Sequence, residues 1–339
     1  MLKALTIPLS WLYSLVIAIR HFLFDKRLLV SFTVDVPTIC VGNLAVGGTG
    51  KTPMVEYMLR LLLANGYHPA VLSRGYKRST HGFVMADSAS TVATIGDEAM
   101  QIHRAFPDVH MAVCEHRVRG IKQLKRQLER LDVVVLDDAM QHRTLRCGYT
   151  ILLTPYDRLY IDDHMLPWGT LRDLPSRALA ADDIVVTKCP SSIRPIDMRV
   201  VDNRLHLPTY QHLHFAGIAY EDLPKQGTPL IVCGIAQPHY LLDHVRSICP
   251  QAQMMTFPDH YAFTARDIDQ IVEKSRHFDY VLTTEKDAQR LESTMLEEQL
   301  SAQGKSLVVL PIRMCFYTPH EAFDRNILQY VHENKNRKS

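Results

Sequence analysis

Between an apolar run at 38–41 and a helical stretch at 54–64, the chain reads Gly42-Asn43-Leu44-Ala45-Val46-Gly47-Gly48-Thr49-Gly50-Lys51-Thr52-Pro53. Glycines 47, 48 and 50 allow backbone conformations that turn successive N–H groups toward one anion. Lys51 then reaches the β- and γ-phosphates of a nucleoside triphosphate, and the Thr52 hydroxyl is placed for Mg²⁺, with Ala45, Val46 and Thr49 completing the cradle. The helix behind the loop points its positive end at the anion, and Pro53 fits its first turn, where a missing N–H costs nothing. Ala45 stands where the strict GxxxxGK[ST] pattern has glycine, so the loop has the variant GGxGK[ST] form.

A second acidic feature completes the chemistry. Residues 131–138, Leu-Asp-Val-Val-Val-Leu-Asp-Asp, form an apolar strand ending in the paired carboxylates of Asp137 and Asp138. Beside a triphosphate loop, such acids hold Mg²⁺ directly or through water. The NKxD signature of guanine nucleotides does not occur; Thr187-Lys188-Cys189-Pro190 lacks the acid, so ATP is the expected nucleotide.

Other candidates have plainer readings. Asp97 opens a predicted helix, where its simplest role is an N-cap. His260 lies in a polar loop and reads first as a surface histidine. Arg119, Lys122, Arg126 and Arg130 fall near one face of a predicted helix over 117–130, which reads first as solvated. His212-Leu213-His214 puts two imidazoles on one side of a strand without a third metal ligand. Seven scattered cysteines without a CxxC pair point to buried thiols in a reducing compartment.

Elements that would position these groups follow from periodicity. Apolar runs at 38–41, 70–73, 111–114, 132–136, 150–153 and 184–187 alternate with helical patterns at 54–64, 97–106 and 117–130, which implies βαβ units. Residues 204–220 read as extended, and a second alternation follows with strands at 230–233, 280–283 and 306–310. The predicted fold is α/β: a P-loop NTPase-type, mostly parallel sheet, a second smaller α/β domain, and an N-terminal membrane-interfacial helix. The expected boundaries are 1–30 for the helix, 31–203 for the P-loop domain, 204–226 for a strand linker and 227–339 for the smaller domain. A length of 339 residues suits two cores, and disorder is expected only in the last residues, 334–339.

The N-terminal run at 5–19 is almost wholly apolar and is followed by Arg20, His21, Lys26 and Arg27. It is shorter than the ~20 residues of a membrane span and has its basic cluster behind rather than in front, which predicts a helix lying in the membrane interface. The formal net charge of +2 gives no basis for a nucleic-acid partner.

Several blocks resemble the tetraacyldisaccharide 4'-kinase family of lipid A synthesis. They are residues 41–53; Leu72-Ser73-Arg74-Gly75-Tyr76; Gly96-Asp97-Glu98; Asp137-Asp138-Ala139-Met140-Gln141-His142; residues 166–172; Phe257-Pro258-Asp259-His260-Tyr261; and Thr284-Glu285-Lys286-Asp287. They occur in family order across nearly the whole chain. The resemblance implies transfer of the γ-phosphate of ATP to the 4'-hydroxyl of an acylated glucosamine disaccharide 1-phosphate, on the cytoplasmic face of the inner membrane. It further implies Asp97 as the base, supported by His260 from the other domain, with Glu98, Gln141 and Arg172 as active-site neighbours. Asp173 follows Arg172 where the family usually has Glu, a reach shorter by one methylene. The competing reading is a membrane-associated ATPase switch of the ParA/MinD type, whose lysine ahead of the two glycines is replaced here by Val46.

Overall fold

The computed structural model describes residues 2–224 and 226–335, with side chains from Thr6 onward. Helix α1 (Leu2–Asp25) is followed by β1 (Thr38–Asn43), α2 (Lys51–Ala64), β2 (Pro69–Ser73), β3 (Val84–Met85), α3 (Val92–Ile95), α4 (Asp97–Ala105), β4 (His110–Val113), α5 (Arg117–Gln127), β5 (Val133–Asp137) and β6 (Tyr149–Pro155). A 3₁₀ turn (Pro175–Ala180) leads to β7 (Asp183–Thr187), α6 (Pro195–Leu205) and β8 (His212–Tyr220). Next come β9 (Pro229–Cys233), α7 (His239–Ile248), β10 (Gln253–Thr256), α8 (Ala265–Ser275), β11 (Tyr280–Thr284), α9 (Glu285–Leu291), α10 (Leu296–Ser301) and β12 (Leu307–Leu310), before β13 (Ile312–Phe316) and α11 (Glu321–Lys335).

Nine strands form the large sheet in the order β13-β8-β7-β6-β1-β5-β2-β4-β3, parallel except for the antiparallel edge pairs β13–β8 and β3–β4. Strands β1, β2, β5 and β7 are buried at every residue. They are covered on both faces, which is why they read as unbroken apolar runs. One face packs Met54, Met58 and Leu62 of α2 with Phe323, Ile327 and Val331 of α11; the other carries Leu44, Leu136 and Leu171, with Tyr13 and Ile17 of α1 against it. The smaller sheet is all parallel, ordered β10-β9-β11-β12, with its own two apolar clusters.

Within the segment expected as a linker, β8 joins the large sheet, its His212–Phe215 segment pairing with Asp183–Val186 of β7. Residues 312–335, expected in the smaller domain, return to the large sheet: β13 pairs with β8, and α11 buries Phe323, Ile327 and Val331 completely. The spacing of these three, four residues apart, gives α11 a single apolar stripe that only the large sheet's open face can cover. Of the tail expected to be disordered, residues 336–339 lie outside the described residues, while Asn334 and Lys335 close α11.

Helix α1 runs past the apolar stretch, through Arg20 to Asp25, and its Thr6–Asp25 part is long and apolar enough to cross a membrane by length and composition. Its two faces differ. Ser10, Tyr13, Ile17, His21 and Phe24 turn toward the body, whereas Leu9, Leu12, Leu15, Val16, Ile19 and Phe22 are exposed, as is Trp11 at 72%. His21 is buried, not outward-facing, because it meets Asp173.

Candidate functional site

The carboxyl ends of the large sheet's central strands converge on one point, the usual place for a ligand in an open parallel sheet. There β1 breaks at Asn43 and the loop turns into α2 at Lys51. Gly50 caps that helix at φ 88°, a conformation that side chains with a Cβ rarely adopt. Buried Asn43 organises the loop: its Nδ2 donates to Thr49 Oγ1 at 2.8 Å, its Oδ1 accepts from Arg172 at 2.5 Å, and its carbonyl accepts from Gln141 Nε2 at 2.6 Å. The 164–172 loop runs alongside, with Val46 N donating to Thr170 O and Arg172 N to Leu44 O, both at 2.8 Å. Thr187 at the end of β7 donates its hydroxyl to Thr49 O at 2.8 Å. The cradle is therefore fixed from three sides.

Lys51 Nζ lies 4.0 Å from Asp138 Oδ2. Asp138 also takes both arms of the Arg172 guanidinium, one at 2.9 Å. Burial opposes its ionisation, but Lys51 and Arg172 outweigh that and hold its carboxyl below the usual range. Asp137 has the opposite balance: burial, then the charges of Glu98 and Asp138, push it up to about 7 against the pull of Lys51 and Arg117. Its Oδ2 accepts from Ser73 Oγ at 3.1 Å, while its Oδ1 is buried without a hydrogen-bond partner. Close approach of the 139–142 loop needs glycine at 42, where a Cβ would stand 2.7 Å from that of Met140.

The second group comes from both units. Asp97, first residue of α4, lies 2.7 Å through Oδ2 from His260 Nδ1, and 3.3 Å from Arg290 of α9. Lys286 Nζ is 3.2 Å from His260 Nε2; an ammonium can only donate, so Nε2 accepts and the ring proton sits on Nδ1, donating to Asp97. Burial works against the Asp97 charge, but His260, Lys286 and Arg290 together hold its carboxyl below the ordinary carboxylate range. Asp97 stands behind His260: it is 5% exposed, and His260, Lys286 and Glu98 are the members that line the cleft. Glu98 contacts Lys286 at 3.8 Å. Asp97 is not the N-cap of α4: Gly96 holds that position, and Asp97, the first helical residue, accepts from the neighbouring Glu98 N–H at 2.9 Å through Oδ1 while its other oxygen serves His260.

These groups share a cleft of about 1290 Å³, open to Lys51, Thr52, Asp137, Asp138, His260 and Lys286. Tyr13, Ile17 and Arg20 of α1 line its far wall. The helix is tied there by Tyr13 Oη donating to Arg172 O at 3.0 Å, Arg20 to Gln141 O at 3.0 Å, and His21 Nε2 lying 2.5 Å from Asp173 Oδ1. Asp173, one methylene shorter than Glu, is thereby turned to the helix. Chemically, the arrangement offers an anion cradle, a pair of hard oxygen ligands, and a carboxylate–imidazole pair brought in from a second unit.

Three further groups at the site, Arg290, Ser73 and buried Arg117, carry no role that the sequence motifs assign. Arg290 follows Asp287 by three residues on α9, a pairing that spacing could have shown, and it bonds Asp287 at 3.1 Å. Arg117, which opens the predicted basic helix, is buried and donates to Cys114 O at 2.6 Å and Asp137 O at 3.3 Å. His212 and His214 meet buried Asp183 at 3.4 and 3.0 Å and form no metal cluster among the described residues. All seven cysteines are free; Cys40, Cys114, Cys189 and Cys233 are buried, but Cys147 and Cys249 are half-buried and Cys315 on the edge strand β13 is exposed.

Comparison with known proteins places the geometry. The model of the family described as tetraacyldisaccharide-1-P 4'-kinase matches residues 2–332. Tetraacyldisaccharide 4'-kinase of Flavobacterium johnsoniae is 42% identical, covering 98% of this chain and 98% of its own. The protein of the same name in Bacteroides thetaiotaomicron is 42% identical, covering 96% and 93%. Among solved structures, the "apo" form of the Aquifex aeolicus family member in complex with ATP superposes with a TM-score of 0.74 at 25% identity, covering 98% of this chain and 100% of that one. With one family spanning almost every residue and relatives matched end to end, the chain belongs to the tetraacyldisaccharide-1-P 4'-kinase family.

Proposed function

We propose that this chain transfers the γ-phosphate of ATP to the 4'-hydroxyl of an acylated glucosamine disaccharide 1-phosphate, giving the 1,4'-bisphosphate. The observation that supports this reading most is that one cleft is lined both by the phosphate cradle and by the N-terminal helix. A soluble sugar would need no apolar helix at the mouth of a kinase site. The seven exposed large apolar side chains of α1 between Leu9 and Phe22 give that helix a lipid-facing side. Because its other side is docked on the protein, the helix would lie in the interface of the inner membrane's cytoplasmic face.

Lys51 and the loop amides 45–50 would bind the ATP phosphates, with Arg172 steadying Asp138 beside them. Thr52, Asp137 and Asp138 fit Mg²⁺: the unpartnered Oδ1 of Asp137 is a buried oxygen awaiting a ligand, and two carboxylates suffice because this ion draws its remaining ligands from phosphates and water. Bound there, Mg²⁺ would neutralise charge on the transferring phosphoryl group. The acceptor hydroxyl would lose its proton to the Asp97–His260 pair, Asp97 supplying the charge and His260 the face toward the cleft. A weak base suffices, since phosphoryl transfer passes through a loose transition state in which the proton leaves late.

The test is a product assay. Purified protein with Mg-ATP and detergent-dispersed disaccharide 1-phosphate should give a doubly phosphorylated lipid. ATP hydrolysis that ignores the lipid, without that product, would support the membrane-associated switch instead.

A further inference from the structure

Outside the catalytic cleft, the structure holds a groove of about 460 Å³ between α5 and the segment that follows α1. Arg119, Lys122 and Arg126 form one wall, Phe32 and Thr144 the other, and His142 separates it from the cleft, lining both. We propose that this groove seats phosphates of anionic bilayer phospholipids, giving the enzyme a cationic membrane contact distinct from its active site.

Charge comes first. No carboxylate lies within ion-pair distance of Arg119, Lys122 or Arg126 among the described residues, whereas Lys125, on another side of the same helix, is taken by Asp35 at 2.9 Å. Three exposed, uncompensated cations facing one hollow form an anion site by composition. Their spacing of three and four residues puts them in a row about 10 Å long along α5. Such a row suits headgroups arrayed in a plane better than one phosphate gripped from several directions. His142 adds to the contrast: burial, followed by the charges of Arg117, His116, Arg20 and Arg74, pushes it down to about 4, so it is neutral and leaves the cationic work to α5.

Continuity with the apolar surface supplies the second argument. Phe32 is 51% exposed, Val30 60% and Leu28 68%, and this segment extends the exposed side of α1 directly to the groove. It is pinned there, with Phe32 N donating to Thr144 O and Arg146 N to Phe32 O, both at 2.8 Å, and Ser31 Oγ to Arg143 O at 2.7 Å. Apolar side chains entering the acyl boundary beside a fixed row of cations is the arrangement that binds anionic membranes. The inference rests on the interfacial reading of α1.

The experiment uses the full chain and sedimentation with vesicles of phosphatidylcholine alone, or of equal parts phosphatidylcholine and phosphatidylglycerol. At about fivefold per surface cation, Arg119→Gln/Lys122→Gln/Arg126→Gln should lose about 100-fold in partition onto the anionic vesicles. It should keep native partition onto phosphatidylcholine, native thermal midpoint, and native kcat and KM in neutral-detergent micelles. Lys125→Gln should lose less than about fivefold. Unchanged anionic partition in the triple variant overturns the proposal. So does a raised KM for the disaccharide phosphate in micelles with vesicle binding intact, which would give the groove to the substrate's own phosphate. Deletion of residues 1–24 separates the two readings: a loss on phosphatidylcholine upholds the interfacial helix, and only the lipid-charge dependence of the triple variant reports on the groove.

Discussion

Two aspartates forty residues apart in the sequence, Asp97 and Asp137, have opposite electrical surroundings. Asp97 is ringed by His260, Lys286 and Arg290 and is ionised throughout the neutral range. Asp97→Asn keeps its shape and removes its charge; kcat should fall by about 10²–10⁴-fold while ATP affinity, measured by titration calorimetry, stays native. A matching loss of ATP affinity would end its assignment to proton transfer. Asp137, by contrast, binds its proton more tightly folded than unfolded, because its pKa is raised to about 7. Its contribution to the metal-free protein is therefore favourable at low pH and is lost as pH rises from about 4 to about 7. Mg²⁺ should reverse this by taking the proton's place. Melting curves between about pH 5 and pH 8 should show a Mg²⁺-dependent gain that grows with pH, and metal binding near pH 6 should release protons.

At the level of elements, the anion loop was legible because glycines, lysine and threonine crowd into a dozen consecutive residues between a strand and a helix. Strand β5 was legible for a similar reason: it is buried on both faces and ends in charge. Helix α11 was not. Its buried residues are only three, Phe323, Ile327 and Val331, and what makes them core is a distant sheet face left open by α2. Helix α8 was also passed over, although Thr264 and Asp267 form a capping box at its start. Phe323 is wholly buried, so Phe323→Ala should cost about 3–5 kcal/mol in urea unfolding. The Asp97–His260 contact could not be seen in sequence by spacing, since 163 residues separate the partners; only the family blocks drew attention to both.

For the whole molecule, the two units meet where α4 faces α9. The buried part of that contact should dominate the exposed part. Arg290 touches both Asp97 and Asp287, and Arg290→Ala leaves two buried carboxylates short of a cation, a loss of about 3–5 kcal/mol by chemical denaturation. Arg104, which reaches Gln289 and Glu292 at the surface, should matter by no more than about 1 kcal/mol when changed to Ala. The return of β13 to the large sheet has a mechanical result. The chain crosses between the units twice, once from Tyr220 to Pro229 and once through Pro311 alone, and the crossings are laced together by Glu221 N donating to Pro311 O at 3.1 Å. A single tether would let the smaller unit swivel freely. Two straps at one edge act like the paired pins of a door: they resist twisting of the smaller unit about the chain and keep His260 in register with Asp97, 2.7 Å away.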